Sequence, residues 1–326
     1  VPNEGIDPVY FHYSIEAQRT YLNQKIGVTG IGAGKFDTSL LQELPFRLLD
    51  EASQREIGEA AESFDRKIEL NRRMNETLEA MARAVFRDWF VDFGPTRRKA
   101  AGLTDPAAIL GHLLPDPEKA PPLAALFPAR FGANGLPEGW RHDFLENFTS
   151  IQNGYAFKSK DWQDVGVPVV KIGSVKPSFV DLSQVSYVSP SISNEKSNFR
   201  LQIGDMLVGL TGYVGETGRV PPTSNLPLLN QRVGRFVPKQ GLEAFVFTVV
   251  RNPEFKNYAI SKSHGSAQAN VSTKDLLTFS VVHAGNEVIQ AFSQLTASLF
   301  QLSLQNMAEN QTLAATRDLL LPKLMS

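Results

Sequence analysis

The feature that most constrains the fold of this chain is a segment that recurs at an offset of 235 residues. The segments at 71–78 (NRRMNETL) and 306–313 (NMAENQTL) are identical at four of eight positions. The same offset continues without a gap toward the N-terminus, as far as Gly30 and Gly265. Because self-similarity at one offset marks a repeated architecture, we predict that a globular domain followed by a long helix occurs twice.

Each copy of the repeat carries an apolar stripe typical of a long helix. In the first copy, apolar residues advance in alternating steps of three and four from Ile57 to Trp89, which is the coiled-coil pattern. Ser53, with a glutamate three residues later, has the spacing of a capping box. We therefore predict long helices over residues 46–92 and 285–326.

Asparagines interrupt the stripe of both helices, at Asn71 and Asn75 in one copy and at Asn306 and Asn310 in the other. A buried asparagine lowers the stability of a coiled coil but penalises wrong registers, because only one alignment pairs the amides. If the helices pack antiparallel, the two pairs face each other, and we predict that they set the register. Exposure to water at the edge of the stripe is the alternative.

The stripe of the first helix is wider than a two-helix contact requires. A surplus of apolar surface on a long helix predicts a surface for partner helices, and packing against domains of the same chain is the alternative. The residues of this predicted partner-helix surface are Met74, Met81, Phe86, Trp89 and Phe90.

A linker and a globular domain are predicted between the two helices. Residues 93–137 are rich in proline, alanine and charge, which predicts a linker with short helical turns. From 138 to 284, short β-type runs alternate with turn signals. The predicted strands are VGVPVVKIGSV, SQVSYV, GDMLVGLTG, GRFVP and AFVFTVV. The fold class is therefore α+β, with mixed α/β globular structure joined by two long helices.

Composition excludes several classes of site. The absence of cysteine rules out disulfides, thiolate nucleophiles and cysteine-based zinc sites, and it fits a reducing compartment. No apolar run reaches the roughly 18 residues that a membrane span needs. The first residues, VPNEGIDPVY, lack the pattern of a signal peptide. We predict a cytoplasmic location without membrane contact.

The loops of residues 138–284 suggest nucleic-acid binding, although the net charge of −1 does not. Arginine and lysine pair with guanine or phosphate, and asparagine and glutamine pair with adenine. Ordinary surface loops are also rich in such residues, which is the alternative explanation. The predicted DNA-binding residues are Asn153, Tyr155, Lys158, Lys160, Lys171, Thr211, Tyr213, Arg219, Gln231, Arg232, Lys262, His264, Ser266, Gln268 and Asn270.

An enzyme and a structural adaptor are the competing classes. Residues 252–255 (NPEF) resemble the Asn-Pro-Pro-Phe motif of adenine methyltransferases, but Glu254 replaces the second proline and no glycine-rich cofactor motif accompanies it. The five histidines have no metal-ligand spacing. We predict neither catalytic nor metal-binding residues. A coiled-coil adaptor would explain the helices but would leave the polar loops unexplained.

Several segments resemble the specificity subunits of type I restriction–modification systems. These are NRRMNETLEAMARAVFRDWFVDF (71–93), LPEGW (136–140), IQNGYAFKSKDW (151–162) and NQTLAATRDLLLPKLMS (310–326). The resemblance implies two target recognition domains that read a split site in double-stranded DNA, joined by antiparallel helices. It implies two methyltransferase subunits as partners, with restriction subunits added. S-adenosylmethionine is expected on the methyltransferase, and no cofactor on this chain.

The resemblance also assigns the domains. By the offset of the repeat, Val1 corresponds to residue 236, whereas the globular domain begins near residue 138. Residues 1–45 are therefore expected to be the C-terminal piece of a first target recognition domain, and residues 138–284 the second domain.

Overall fold

The computed structural model describes residues 4–25, 27–28, 34–35, 44–113, 116–183, 185–265 and 268–325. The chain divides into two compact units, and the division falls within both long helices. Unit 1 comprises Val1–Met74 and Asn306–Ser326, and unit 2 comprises Asn75–Gln305.

The described elements are named in chain order. The α-helices are α1 (Pro8–Glu16), α2 (Arg19–Gln24), α3 (Glu51–Phe86), α4 (Gly94–Ala100), α5 (Pro106–Ile109), α6 (Ala120–Ala125), α7 (Pro190–Glu195), α8 (Glu243–Val250), α9 (Pro253–Ser261), α10 (Thr273–Leu277) and α11 (Asn286–Met325). The strands are β1 (Gly27–Val28), β2 (Gly34–Lys35), β3 (Arg141–Phe144), β4 (Thr149–Asn153), β5 (Trp162–Gln163), β6 (Val167–Val170), β7 (Ser178–Phe179), β8 (Ser186–Val188), β9 (Met206–Gly209), β10 (Thr217–Arg219), β11 (Leu228–Leu229), β12 (Val233–Pro238) and β13 (Ser280–His283). A π-helix follows α3 at Arg87–Val91.

The helices repeat at the offset found in the sequence. The long helices α3 and α11 begin at residues 51 and 286, and the shorter helices α1 and α8 begin at residues 8 and 243. The predicted fold class, mixed helix and strand with two long helices, is confirmed. One detail was wrong: Asp50 accepts a hydrogen bond from the Ser53 N–H (3.0 Å), so α3 begins before Ser53, which lies in its first turn.

In unit 1, α1 packs against both long helices through an apolar cluster that includes Tyr13 and Leu321. Asp65 on α3 accepts hydrogen bonds from the Tyr13 hydroxyl (2.6 Å) and from Arg317 on α11. Burial and the hydrogen bond to Asp65 raise the pKa of the Tyr13 hydroxyl, which therefore stays protonated and keeps donating.

Asparagines of the two long helices also face each other in unit 1. Asn71, which is 1% exposed, donates from Nδ2 to Asn310 Oδ1 (2.9 Å) and to Glu309 Oε2 (2.7 Å). Asn306 is buried as well. As residue numbers rise along α3, those of the contacted residues on α11 fall, so the helices are antiparallel here. That these asparagines set the register stays a prediction.

Replacing Asn71 with leucine is expected to raise the free energy of unfolding by about 1 kcal/mol. Asn71 Oδ1 is buried without a hydrogen-bond partner, so the substitution removes a desolvated polar atom, while the exposed Glu309 turns to water. Urea denaturation measures the change. The exposed neighbour Arg72→Leu is the control, with an expected change within about 0.5 kcal/mol. A less stable Asn71→Leu variant would contradict this account.

Unit 2 contains two main sheets. The larger has the strand order β4-β12-β9-β10-β7, with antiparallel neighbours from β4 to β10 and a parallel β10–β7 pair. The smaller has the order β11-β6-β8-β5, and β13 pairs with β3. Within this unit the long helices are again antiparallel, since Asn75 Nδ2 donates to the Ser303 carbonyl oxygen (3.3 Å) and Phe86 contacts Phe292.

The AFVFTVV segment forms helix α8, not the strand that was predicted. Every residue from Ala244 to Val250 is buried. A helix that is buried on all sides has no polar face, so the sequence lacks helical periodicity, and its β-branched and aromatic residues favour a strand. Packing in the core overrides that preference.

Residues 93–137 hold short helices, as predicted, but they do not form a free linker. Ile109, Leu110 and Phe127 are buried in the main apolar cluster of unit 2. Arg98 on α4 forms a two-pronged ion pair with Asp88 and also donates to the Ile109 carbonyl oxygen. These contacts attach the segment to the end of the first long helix.

Only two of the five residues of the predicted partner-helix surface are exposed. Met74 and Met81 are 37% and 48% exposed. The other three residues are buried in unit 2, at 9% exposure or less: Phe86, Trp89 and Phe90. All three rings pack against Phe292 of α11. The prediction was wrong for these three, because this end of the helix enters the core of unit 2.

Within the part of the chain that the structure describes, no helix is long and apolar enough to cross a membrane. The same residues contain no group of three or more His, Asp or Glu side chains that could hold a metal ion.

Candidate nucleic-acid interface

Three neighbouring strands of the larger sheet, β4, β12 and β9, each have one terminus at the same edge of the sheet. Antiparallel pairing places Asn153, the last residue of β4, opposite Gly234 of β12. It also places Val233, the first residue of β12, opposite Gly209, the last residue of β9. Because neighbouring strands alternate in direction, the loops after β4, before β12 and after β9 leave the sheet side by side. The predicted DNA-binding residues fall mainly in four loops, at 151–160, 210–219, 229–235 and 261–272, and the first three of these loops meet there.

The fourth loop, residues 261–272, is bonded to the turn between β9 and β10. The Thr211 hydroxyl donates to Asn270 Oδ1 (2.7 Å), and the Gly212 N–H donates to the Ala269 carbonyl oxygen (2.8 Å). Gly212 has a φ of +76°, which a residue with a side chain adopts only with strain. The two loops thus form one surface, in which Thr211 and Asn270 bond each other.

Several side chains at this edge are exposed and uncommitted. Tyr213 is 64% exposed. The other predicted residues with an exposed side chain and no side-chain hydrogen bond or ion pair within the described residues include Asn153, Gln231, Arg232, His264 and Gln268. A side-chain amide both donates and accepts hydrogen bonds, and a guanidinium donates two parallel hydrogen bonds. These groups can therefore bind the edges of bases and the oxygens of phosphates. Binding a ligand would break no internal bond of these groups.

An aromatic row, defined as Tyr155, Phe157 and Trp162, borders the same loops. The ring centroids are 5.0 Å apart between Tyr155 and Phe157 and 5.5 Å apart between Phe157 and Trp162. The Gln231 N–H donates to the Tyr155 carbonyl oxygen (3.0 Å), which fastens the row to the loop before β12. The row therefore lies beside Gln231 and Arg232, whose side-chain amide and guanidinium form no hydrogen bond within the described residues.

Lysines surround the row in two different settings. Lys158 and Lys160 are exposed beside Trp162 in the chain. Lys171 is partly buried, with Nζ 3.9 Å from the Trp162 ring centroid and hydrogen-bonded to Ser186 Oγ (2.6 Å). Burial lowers the pKa of the Lys171 ammonium. Lys171 is thus committed to internal contacts, whereas the other two are open to a ligand.

Several known proteins are similar to this chain in sequence. Residues 137–282 match the family model of the type I restriction modification DNA specificity domain. The HindI specificity subunit of Haemophilus influenzae is 26% identical over 321 residues, covering 88% of this chain and 69% of that protein. The MjaIX specificity subunit of Methanocaldococcus jannaschii is 20% identical over 340 residues, covering 100% and 70%. Residues 137–282 thus match the type I DNA specificity domain, and the chain as a whole is similar to type I specificity subunits. A solved S subunit from M. genitalium aligns with a TM-score of 0.49 and 15% identity, over 99% of this chain and 73% of that chain.

One predicted residue lies away from the candidate interface of this specificity domain. Arg219 pairs with Met206, the first residue of β9, at the end of the strand opposite to the loops. Its guanidinium lies 5.2 Å and 5.7 Å from the Phe247 and Phe300 ring centroids and donates to the Phe300 carbonyl oxygen (3.1 Å). Burial lowers its pKa to about 10, so it remains charged at neutral pH. Its assignment to DNA binding was wrong: it fastens the sheet to α8 and α11.

The remaining predicted residues of the specificity domain lie around the fourth loop. Lys262 is exposed at the end of α9, with Nζ 5.5 Å from the Tyr258 ring centroid. Ser266 lies outside the described residues. The segment compared with a methyltransferase motif begins α9, because Asn252 caps the helix by accepting from the Glu254 N–H (3.1 Å). That cap is a structural role for Asn252.

A buried ion network behind the β9–β10 turn was not indicated by the sequence. Arg251 donates to Glu79 of α3 (3.2 Å), to the Thr217 carbonyl oxygen (3.1 Å) and to Ser178 Oγ (2.8 Å), and it lies 3.9 Å from Glu216. The partners lie far apart in sequence, so no local pattern could have revealed them. The network holds the turn that carries Tyr213 to the first long helix.

Proposed function

We propose that this chain recognises a DNA sequence for a type I restriction–modification complex, and that residues 137–282 read one half of a split target. One observation carries the proposal: four loops with uncommitted hydrogen-bonding side chains meet at one edge of the sheet. Support comes from the family of this domain and from relatives that are named specificity subunits.

The reading chemistry follows from the exposed groups. Gln231 can pair with both the N6 and N7 atoms of adenine, and Arg232 with the O6 and N7 atoms of guanine. The two residues are adjacent in the same loop, and the proposal assigns them to the same half-site. Thr211 and Asn270 bond each other, and in this arrangement they shape the surface on which Tyr213 and Gln268 are presented.

The chain itself is proposed to be non-catalytic. Two methyltransferase subunits that bind S-adenosylmethionine would modify the target, and restriction subunits would join the complex. The exposed Met74 and Met81 are the part of the predicted partner-helix surface still open to a partner. Residues 1–45, whose helix α1 matches α8 in position, are proposed to belong to a first recognition domain for the other half-site.

Sequencing of modified bases in cells that carry the system tests the function directly. We expect methylated adenine in one bipartite motif, which disappears when this chain is deleted. A continuous motif, or none that depends on this chain, would refute the proposal. If the purified chain bound a partner helix but no DNA, the structural adaptor would be favoured instead.

Replacing Gln231 or Arg232 with alanine is expected to weaken binding to one half-site by about 1–3 kcal/mol per lost two-pronged contact. Titration of labelled duplexes that carry the mapped motif, or the motif changed in one half, measures the loss. Gln240→Ala is the matched control, because Gln240 is exposed at the other end of β12 and should leave affinity unchanged. Wild-type affinity and motif in both test variants would remove this loop from the interface.

A further inference from the structure

The aromatic row ends in a lysine that has no anionic partner among the described residues. Lys196 Nζ lies 4.7 Å from the Tyr155 ring centroid. Its ammonium forms no hydrogen bond or ion pair within the residues that the structure describes. Tyr155 is in turn bonded to Gln231 through the backbone (3.0 Å). A positive charge is therefore held beside the proposed base-reading loop, although Lys196 precedes Gln231 by 35 residues in the chain.

The lysine at the opposite end of the row is a useful contrast. Lys171 also stacks on a ring, but its ammonium donates a hydrogen bond to Ser186 Oγ (2.6 Å). Turning to a ligand would break that internal hydrogen bond, which offsets part of what the new contact contributes. Of the two stacked lysines, only Lys196 keeps its bonding capacity.

We infer that Lys196 contacts a phosphate of the DNA backbone next to the bases read by Gln231 and Arg232, and that Tyr155 positions it. The inference rests on the proposed DNA-reading function. An ammonium is a compact charge with three donors, which suits a phosphate better than the forked edge of a base. Stacking on a ring restrains the long side chain without neutralising it, so less conformational freedom is lost on binding.

A structural role for the same residue makes different predictions. Lys196 is the C-terminal cap residue of α7, where a positive charge stabilises the exposed carbonyl groups. In that case its removal would lower thermal stability and leave DNA binding unchanged. A phosphate contact has a separate signature, because each contact releases counterions and adds about 0.9 to the slope of log K against log salt.

The test compares Lys196→Gln with Lys239→Gln in the full chain. Lys239 is exposed and follows β12 at the other end of the sheet. Binding to a random duplex and to a duplex with the mapped motif is measured from low to moderate salt, together with the melting temperature. For Lys196→Gln we expect a slope smaller by about 0.9, the same fold-loss on both duplexes and an unchanged melting temperature. Lys239→Gln should behave as wild type.

Tyr155 variants test the positioning step. Tyr155→Phe keeps the ring and should keep wild-type DNA binding, whereas Tyr155→Leu should lose part of the affinity on both duplexes. An unchanged slope in Lys196→Gln, or a loss confined to the mapped motif, would overturn the phosphate contact. If wild type binds both duplexes equally and Lys196→Gln still reduces the slope, the contact stands and sequence reading fails. A wild-type chain that binds neither duplex overturns both.

Discussion

Replacing Arg251 with methionine is expected to lower the free energy of unfolding by about 3–5 kcal/mol. The Arg251 side chain is only 14% exposed and bonds Glu79, which is 9% exposed. It also lies near Glu216, so its loss leaves two buried carboxylates with fewer positive partners. A buried charge without compensation is far more costly than the pair is favourable. Urea denaturation followed by circular dichroism measures the change.

Arg83→Met is the matched control, because Arg83 pairs with the same Glu79 (3.2 Å) but is 42% exposed. The Arg83 guanidinium is largely in solvent, and in this variant Glu79 keeps Arg251, so the free energy of unfolding should fall by no more than about 1 kcal/mol. Equal losses in the two variants, or a loss near zero for Arg251→Met, would show that the network is not a buried charge cluster.

Replacing Trp89 with alanine is expected to destabilise the chain by a similar amount, about 3–5 kcal/mol. Trp89 is 1% exposed, and its ring packs edge-on against Phe127 (4.9 Å between centroids) and against Phe292 (6.1 Å). Its Nε1 atom has no hydrogen-bond partner, so the loss comes from packing and from the cavity left behind. Thermal and urea unfolding of the chain without partners measure it.

Met81→Ala on the same long helix separates the core from the surface. Met81 is 48% exposed, so its removal should change the free energy of unfolding by less than about 1 kcal/mol. If Trp89→Ala instead kept wild-type stability and lost only the binding of a partner, the original assignment of Trp89 to a partner-helix surface would be restored.

The parts of the fold that could be predicted are those with a local signal. The apolar steps from Ile68 to Val85 place successive residues on one face of a helix, and Ile68, Leu78, Ala82 and Val85 are all buried. The polar loops could also be predicted from a local signal, because turn residues interrupt the β-type runs. For the candidate interface, the loops could be located, but the side chains that point out of them could not.

Errors arose where burial from distant parts of the chain replaced the local signal. Helix α8 is covered on all sides, so its sequence resembles a strand. Arg219 sits in a glycine-rich segment that resembles the other loops, yet its strand carries it to the far end of the sheet. Lys196 comes from a segment with no distinctive pattern and reaches the interface only because Tyr155 lies beneath it.

The sequence by itself determined the repeat, the two long helices with asparagines in their apolar stripes, and the similarity of the globular domain to type I specificity domains. These features depend on periodicity and on short motifs, whose physical basis lies within a few residues of chain. Only the tertiary structure decided which side chains meet at the sheet edge, which aromatic residues enter the core, and where Arg251 and Lys196 find their partners. Those outcomes depend on packing between segments far apart in sequence, and burial there changes what a charged or apolar residue does.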